Sequence, residues 1–576
     1  MPYLPFDLSR LAKVYPVRTG LRRSIRKTKS STPISIRKIG TSETMLSKVM
    51  NLGRLLSDVA RRFPDEPGLI LAQGAADGSD RLIPWREINA RVDALAHALT
   101  RRGVKKGDKM LVHSRNNQQI FESAWAAFKM GVVWVPTNFR ITPPEAAYLG
   151  QSSGACVMLY DRGFAQYVDA VKAASPALEH VVALANARAG ELDYEALVRE
   201  GSGAAFREAE VDYDDPLWFF YTSGTTGHPK AGMLSHGQMA FVVTNHLADL
   251  MPGLTHQSRS LVVAPLSHGA GVHAVINTAR GAASILLSSE RLVVEEAWQL
   301  VEKYRVDNLF TVPTIVKILV EDESVDRYDH SSLKHVIYAG APMYRADQVY
   351  ALKKLGKVLV QYYGLGEVTG NITFLPPYLH FEDDAHPQAR VGTCGMPRTG
   401  MQIAILNDDG QELAPFETGE ICVRGPAVFM GYHNNPEANA KAFKHDWFHT
   451  GDLGHVDQDG FLYITGRSSD MYISGGSNVY PREIEEALLT HPAVSEVAVL
   501  GVPDPKWGES GLAVIVCKAG QQVDSEALLA HLESRIGKYK WPRRFIYWDS
   551  MPKSGYGKIV KKQIKALLEE QGEYRL

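Results

Sequence analysis

Residues 221–230 read Tyr221-Thr222-Ser223-Gly224-Thr225-Thr226-Gly227-His228-Pro229-Lys230. The preceding run Leu217-Trp218-Phe219-Phe220 is apolar and reads as a buried strand. Hydroxyls, glycines and a lysine after a strand have the composition of a phosphate cradle. Glycine lets the backbone approach oxygen atoms closely. Exposed N–H groups form an anion nest, and Ser and Thr hydroxyls add donors. Lys230 supplies a mobile point charge. A P-loop ends in Gly-Lys-Ser/Thr; here Pro229 precedes Lys230 and Ala231 follows, so that motif is excluded.

Three further segments carry chemistry. Gln361-Tyr362-Tyr363-Gly364-Leu365-Gly366-Glu367-Val368-Thr369 sets aromatic rings beside a carboxylate. A ring can cover a purine face, and a carboxylate can hold Mg²⁺ together with substrate phosphates. Taken alone, the segment reads equally as a turn carrying an acid, and its glycines do not space as GxGxxG. Thr450-Gly451-Asp452 is followed by Gly466-Arg467-Ser468-Ser469-Asp470 and by Ile473-Ser474-Gly475-Gly476. Asp452 on a tight turn can accept ribose hydroxyls, and Arg467 can bridge ribose and phosphate. Pro552-Lys553-Ser554-Gly555-Tyr556-Gly557-Lys558 is a glycine-hinged loop with two lysines.

The chain around these motifs has 576 residues, room for about four average domains. Hydrophobic residues make up 45% and charged residues 22%, which excludes disorder as the dominant state. Net charge is −1, so a basic nucleic-acid binder is not indicated. No apolar run is long enough for a membrane span. The nearest stretch, Val262 to Ala279, contains Ser267, His268, Gly269, Gly271, His273 and Asn277 and reads as a site. Residues 1–49 carry 11 Lys/Arg against 2 Asp/Glu, a net +9 that leaves −10 on the rest. Cys156, Cys394, Cys422 and Cys517 form no CxxC pair, which excludes zinc fingers and fits a reducing compartment. His445 and His449 lack the HExxH spacing and read as structural.

Residues 1–45 read as a basic, unstructured extension upstream of Met45. A mitochondrial-type targeting segment shares that composition. Ile88, Val92, Leu95 and Leu99 mark one face of a helix stopped by Gly103, and Lys109 to His113 reads as a strand. Helix–strand alternation continues to about residue 360, which suggests α/β layers. Strand-like runs Gln402–Leu406, Gly419–Arg424 and Phe461–Thr465 follow, with turns at 407–410 and 457–460. A fresh α+β pattern begins near 470: a helix from Pro481, strands Val497–Val502 and Gly511–Cys517, and a helix carrying Leu528, Leu532 and Ile536.

The order and spacing of the four segments resemble the AMP-forming acyl-CoA synthetases of the adenylate-forming superfamily, over about residues 50–570. The resemblance implies an α/β fold with a large multi-lobed N-terminal domain at 46–468: two α/β sheet lobes plus a small β-barrel-like lobe. A small mobile α+β C-terminal domain at 469–576 completes it. It implies that Thr222 to Lys230 bind the β- and γ-phosphates of ATP. Ala339, Gly340, Ala341, Pro342 and Tyr363 would form the adenine wall, with Gly364 and Gly366 among the nucleotide-binding positions. Glu367 would hold Mg²⁺, and Asp452 and Arg467 would contact ribose and phosphate. Lys558 would stabilise the adenylation transition state, so Lys558, Glu367, Thr222 and Lys230 form the expected catalytic set. Gly475 and Gly476 would line the pantetheine channel of coenzyme A, and the small domain would turn about Ser469 and Asp470. His268 matches a histidine bordering the acyl pocket, beside Gly269, Gly271, Val272, Tyr338 and Leu365.

Two positions depart from the pattern. Gly366 stands where the family usually has Thr, so the α-phosphate contact is either lost or taken by another group, Thr369 being the candidate, and Gly366→Thr is expected to be tolerated or to improve ATP use. Ser469 stands at a hinge position that is usually charged. The implied reaction joins a carboxylic acid to ATP, giving an acyl-adenylate and then acyl-CoA, AMP and pyrophosphate. The small lining residues leave room for bulk, with a fatty acid the first reading and an aromatic acid the second. A carrier-protein loader and a catalytically silent ATP/acyl-binding protein are the alternatives. No nucleic-acid partner is expected. The state is read as monomer or homodimer, and the location as cytoplasmic.

Overall fold

Ile88, Val92, Leu95 and Leu99 are each 0% exposed on one face of helix Trp85–Arg101. Gly103 follows at φ +90°, a conformation glycine adopts without steric cost, and strand Lys109–His113 begins after it. The computed structural model describes residues 50–576 except 75–76, 223–227, 290, 342, 468, 475–476, 534, 554–558 and the side chain of Asn478. The extension expected over 1–45 lies outside the described residues.

Two large sheets are built from strands between Pro67 and Pro397. The seven-stranded sheet runs Leu192–Asp193, His180–Ala183, Val157–Tyr160, Lys109–His113, Val133–Pro136, Pro216–Thr222, Lys230–Ser235. The nine-stranded sheet runs Met396–Pro397, Thr373–Leu375, Leu359–Tyr363, His335–Tyr338, Asn308–Thr311, Arg259–Val262, Ala283–Leu286, Pro67–Leu71, Arg81–Pro84. Interior strands pair in parallel, and antiparallel pairing is confined to edges. Strands 133–136, 157–160, 283–286 and 308–311 are buried at every position. Continuous burial means that both faces of the sheets are covered, as parallel sheets require.

Each sheet reverses its order of construction at one strand. Arg259–Val262 has Ala283–Leu286 on one side and Asn308–Thr311 on the other. Lys109–His113 likewise lies between Val133–Pro136 and Val157–Tyr160. Ligands of open α/β sheets bind beyond the carboxyl ends of strands at such points. The chain leaves the first into Pro265–His268 and the second into Ser114–Asn117. Asn116 joins the two: its Nδ2 donates to the Ala264 carbonyl at 2.9 Å, and its Oδ1 accepts from Leu266 N–H at 2.8 Å.

The small lobe expected to be barrel-like is a five-stranded antiparallel sheet built from Gln402–Leu406, Gly419–Arg424, Phe443–Lys444, Trp447–Val456 and Leu462–Arg467. Its last strand is shifted from the expected 461–465, because Asp457 Oδ1 accepts the N–H groups of Asp459 and Phe461 and holds Phe461 in the turn. The C-terminal unit pairs long strands Val494–Asp504 and Gly508–Cys517, with Arg544–Tyr547 parallel to the second. Both faces are covered, by Leu528 and Leu532 on one and Ile564 and Leu568 on the other. Ile536 lies beyond helix Ser525–Glu533 and packs from the following turn, a departure from the expected helix. The stretch 262–279 divides between strand Arg259–Val262 and helix Gly269–Arg280, and no described helix is long and apolar enough to cross a membrane.

Candidate active site

Strands Pro216–Thr222 and Lys230–Ser235 form a hairpin in which Thr222 pairs with Lys230. Ser223, Gly224, Thr225, Thr226 and Gly227 lie outside the described residues. The far side of the loop is anchored: His228 stacks on Tyr148 at 4.7 Å, and the Tyr148 hydroxyl donates to the Pro229 carbonyl at 3.2 Å. Segment 430–433 adds to the open edge of this hairpin. Met233 N–H donates to the Gly431 carbonyl at 3.0 Å, and His433 N–H to the Ala231 carbonyl at 2.9 Å.

Glu367 sits in the short turn Gly366–Val368 after strand Leu359–Tyr363 and is 6% exposed. Its Oε1 accepts from the Thr222 hydroxyl at 3.0 Å and the Tyr432 hydroxyl at 2.8 Å. Lys230 Nζ stands 5.2 Å from the Tyr432 ring centre. Thr222, Lys230 and Glu367, expected to act together, therefore meet around a tyrosine that sequence reasoning missed. Tyr432 carries no local mark, since its position depends on pairing with a strand two hundred residues earlier.

Gly366 is filled in, not vacant. A Cβ there would stand 2.6 Å from Phe220 Cδ1 and 3.0 Å from Thr222 Cγ2. Thr at this position would press on a buried ring, which argues against the expectation that Gly366→Thr is tolerated. Thr369 does not replace the missing hydroxyl. It is 6% exposed, and its Oγ1 accepts from Gln238 Nε2 at 3.1 Å.

Gly340 and Ala341 follow strand His335–Tyr338, and Tyr363 ends the neighbouring parallel strand. Gly340 takes φ +82°, the left-handed region that favours glycine. Pro342 lies outside the described residues. Tyr363 donates its hydroxyl to Asp452 Oδ2 at 2.7 Å, while Arg467 Nε donates to Asp452 Oδ1 at 2.9 Å. Burial, then the Asp452 charge, pushes the Tyr363 phenol well above its usual range. Asp452 was expected on a tight turn; it lies inside strand Trp447–Val456, paired with Arg467. Two strands rather than a turn orient it, leaving carboxylate lone pairs for further donors.

Glu420 braces this strand. Its Oε1 accepts from Gly451 N–H at 3.0 Å, and its Oε2 pairs with His449 Nδ1 at 2.7 Å. His449 Nε2 faces the Lys444 carbonyl at 3.2 Å, and Cys422 Sγ lies 3.4 Å from His449 Nδ1. Glu420, Cys422 and His449 thus gather ligand atoms within 4.8 Å, with hydrogen bonds already engaging them. Cys422 thus touches His449, the residue just before the Thr450–Asp452 segment.

On the acid side, His268 precedes helix Gly269–Arg280 and packs on Phe220 at 4.3 Å between ring centres. Burial pushes its imidazole down to about 4, so it is neutral near pH 7. The flanking glycines do not open a wide pocket, contrary to expectation. A Cβ at Gly269 would lie 2.6 Å from the Phe310 ring, and one at Gly271 would strike the Leu266 carbonyl and sit 3.0 Å from Trp218. Gly364 is pressed against the Gly370 backbone. These positions are glycine because neighbours approach closely. Val272 is 5% exposed, and Leu365 packs at the edge of the same core. A cavity of about 20 Å³ lies beside Gly271, among Trp134, Trp218 and Leu266. Tyr338 does not join this group. Strand alternation turns it to the opposite core, where its hydroxyl bonds Gln361 at 2.9 Å and Gln348 at 2.9 Å.

Ser469 and Asp470 form a turn after Arg467, with the Ser469 hydroxyl donating to Asp470 Oδ1 at 3.1 Å. Gly475, Gly476 and Lys558 lie outside the described residues. Lys553 and Ile559, which bracket the Lys558 loop, pair across it.

Residues 56–433 match the family described as AMP-binding enzyme, and residues 483–558 match the AMP-binding enzyme C-terminal domain. The chain belongs to the AMP-binding enzymes, as an AMP-forming acid–CoA ligase. The ligase is 34% identical to a feruloyl-CoA synthase of Amycolatopsis sp over 489 residues, covering 84% of this chain and 93% of that protein. It is 32% identical to a long-chain-fatty-acid–CoA ligase of Mycobacterium tuberculosis over 486 residues, covering 84% and 92%. The solved structure of o-succinylbenzoate coenzyme A synthetase from Bacillus subtilis, in complex with AMP, matches the ligase with a TM-score of 0.76 at 28% identity. That match covers 89% of this chain and 98% of that one.

Proposed function

We propose that this ligase activates an aromatic carboxylic acid with ATP and transfers it to coenzyme A. The observation that carries the aromatic reading is the ring-walled acid side. Phe220 and Phe310 fill the space beside Gly366 and Gly269, and Trp218 closes on Gly271. Flat rings pack against such walls, whereas a long acyl chain needs a channel. Feruloyl- and succinylbenzoate-handling relatives support it. A fatty acid is the second reading, favoured by the fatty-acid relative.

The chemistry follows from charge. A carboxylate must attack the α-phosphate of ATP, anion on anion, so the site must neutralise charge and align the attack. Lys230 and the hydroxyls and N–H groups of 222–227 hold the β- and γ-phosphates. Gly340, Ala341 and Tyr363 cover the adenine, and Asp452 with Arg467 takes the ribose. Lys558 is assigned the charge that develops at the α-phosphate. Glu367 suits Mg²⁺, because a buried carboxylate held through one oxygen by two hydroxyls is a preformed oxygen ligand. Bound there, Mg²⁺ would supply charge neutralisation across the phosphates. Neutral His268 and the Phe220 ring seat the acid without adding charge. The small domain then turns about Ser469–Asp470, exchanging Lys558 for the Gly475–Gly476 side of a thiol channel.

Pyrophosphate release over ferulate, benzoate, octanoate and palmitate tests the substrate, with coenzyme A and an acyl carrier protein as competing acceptors. Highest kcat/KM on an aryl acid with coenzyme A is expected. Preference for palmitate overturns the aromatic reading, and release with no acid overturns the reaction.

A further inference from the structure

Glu367 and Lys230 carry opposite charges on either side of one side chain. The Thr222 hydroxyl bonds Glu367 Oε1 at 3.0 Å, and Thr222 is the strand partner of Lys230. Neighbouring strands thus bring an acid and a base to one site, yet among the described residues neither joins an ion pair. Tyr432 lies between them: its hydroxyl donates to Glu367 Oε1 at 2.8 Å, and its ring faces Lys230 Nζ at 5.2 Å. Glu367 is satisfied by a neutral donor, and Lys230 by the negative face of a ring.

The tyrosine is itself held rigidly. Asn439, on helix Pro436–Ala442, accepts Tyr432 N–H through Oδ1 at 2.6 Å and donates to the Tyr432 carbonyl through Nδ2 at 3.0 Å. The Phe429 ring packs edge-on against it at 4.9 Å, and Phe429 N–H donates to the Glu367 carbonyl at 2.8 Å. Segment 429–433 is thereby fastened to the Glu367 backbone, to the Glu367 carboxylate and to the Lys230 strand.

We propose that Tyr432 is a positioning residue that presents Glu367 to a divalent cation and keeps Lys230 from pairing with it. The inference rests on the reading of Glu367 and Lys230 given above. It assigns the ring and the hydroxyl separate tasks. The hydroxyl fixes one carboxylate oxygen and leaves Oε2 as the cation ligand. The ring separates the two charges, so that Lys230 meets the nucleotide phosphates uncompensated. A direct Lys230–Glu367 pair would cost the site both a cation ligand and a phosphate ligand.

The test uses the full-length enzyme, Mn²⁺ as an EPR probe and a non-hydrolysable ATP analogue. Tyr432→Phe keeps the ring and loses only the hydroxyl. Mn²⁺ affinity of its nucleotide complex should fall about tenfold, as expected for one hydrogen bond to a charged group. Metal-free nucleotide affinity should stay the same. Tyr432→Leu removes the spacer, and metal-free nucleotide affinity should then also fall about tenfold as Lys230 turns to Glu367. Adding Glu367→Gln to Tyr432→Leu should restore that metal-free affinity, a recovery that general loosening does not produce. Unchanged Mn²⁺ affinity in Tyr432→Phe, or no recovery in the double variant, overturns the proposal. If the parent enzyme binds nucleotide and Mn²⁺ but activates no acid, the reaction reading fails while these comparisons still stand.

Discussion

The Phe220 ring occupies the space that any side chain at Gly366 would enter, with Cδ1 2.6 Å from the site of a Cβ. Phe220 also packs on His268 at 4.3 Å. One ring therefore links the Glu367 turn to the acid side, and the two positions are read as a pair. Gly366→Thr should lose adenylation by roughly 5- to 150-fold, because overpacking a closed site costs about 1–3 kcal/mol. Adding Phe220→Ala should recover part of that loss. Pyrophosphate release and thermal melts of both variants check this; full activity in Gly366→Thr alone would refute the packing argument.

Glu420 should matter to nucleotide binding although it touches no expected ligand. It fixes Gly451 N–H next to Asp452 and orients His449. Glu420→Ala should raise KM for ATP several-fold with kcat little changed. Glu420→Gln, which keeps an acceptor for Gly451, should lie between that variant and the parent. Steady-state kinetics with ATP varied gives the comparison, and an equal rise in KM for the acid would assign Glu420 a general structural role.

Acid should destabilise the fold through buried histidines. Burial pushes His113, His236, His268, His273 and His380 each down to about 4. The unfolded chain binds these protons near pH 6.5, ahead of the folded one. Their contribution is thus fully present above about pH 6.5 and is lost as pH falls towards 4. Each group can account for up to about 3 kcal/mol. Melting temperature measured from pH 7.5 to pH 4.5 should fall steeply below pH 6.5, and His273→Gln should flatten the curve. A melting temperature independent of pH over that range would contradict the burial of these rings.

Lys558 should separate the two half-reactions. Lys558→Ala is expected to abolish adenylate formation while leaving thioester formation from supplied acyl-adenylate within a few-fold of the parent. Comparable loss in both half-reactions would remove the role assigned to Lys558.

Much of this enzyme was written locally. Phosphate cradles are short backbone devices, so residues 221–230 could be recognised without knowing what surrounds them. Helix Trp85–Arg101 and the strands at Lys109–His113 and Leu217–Phe220 followed from periodicity and apolar runs, which report burial directly. The order of four such segments along the chain was enough to indicate the reaction class.

Side-chain neighbours across sheets were a different matter. Tyr338 turned to the far core because strand alternation, counted from the observed register, put it there. Gly269 and Gly271 were read as room, and Gly366 as a site open to Thr, whereas their neighbours come from strands and loops far along the chain. Tyr432 reaches Glu367 across 65 residues, and Asn116 reaches Leu266 across 150. No local pattern encodes such contacts. The sequence by itself determined which groups are present and the chemistry they can do. Only the tertiary structure decided which of them meet, because sheet order and register set distances that chain spacing does not.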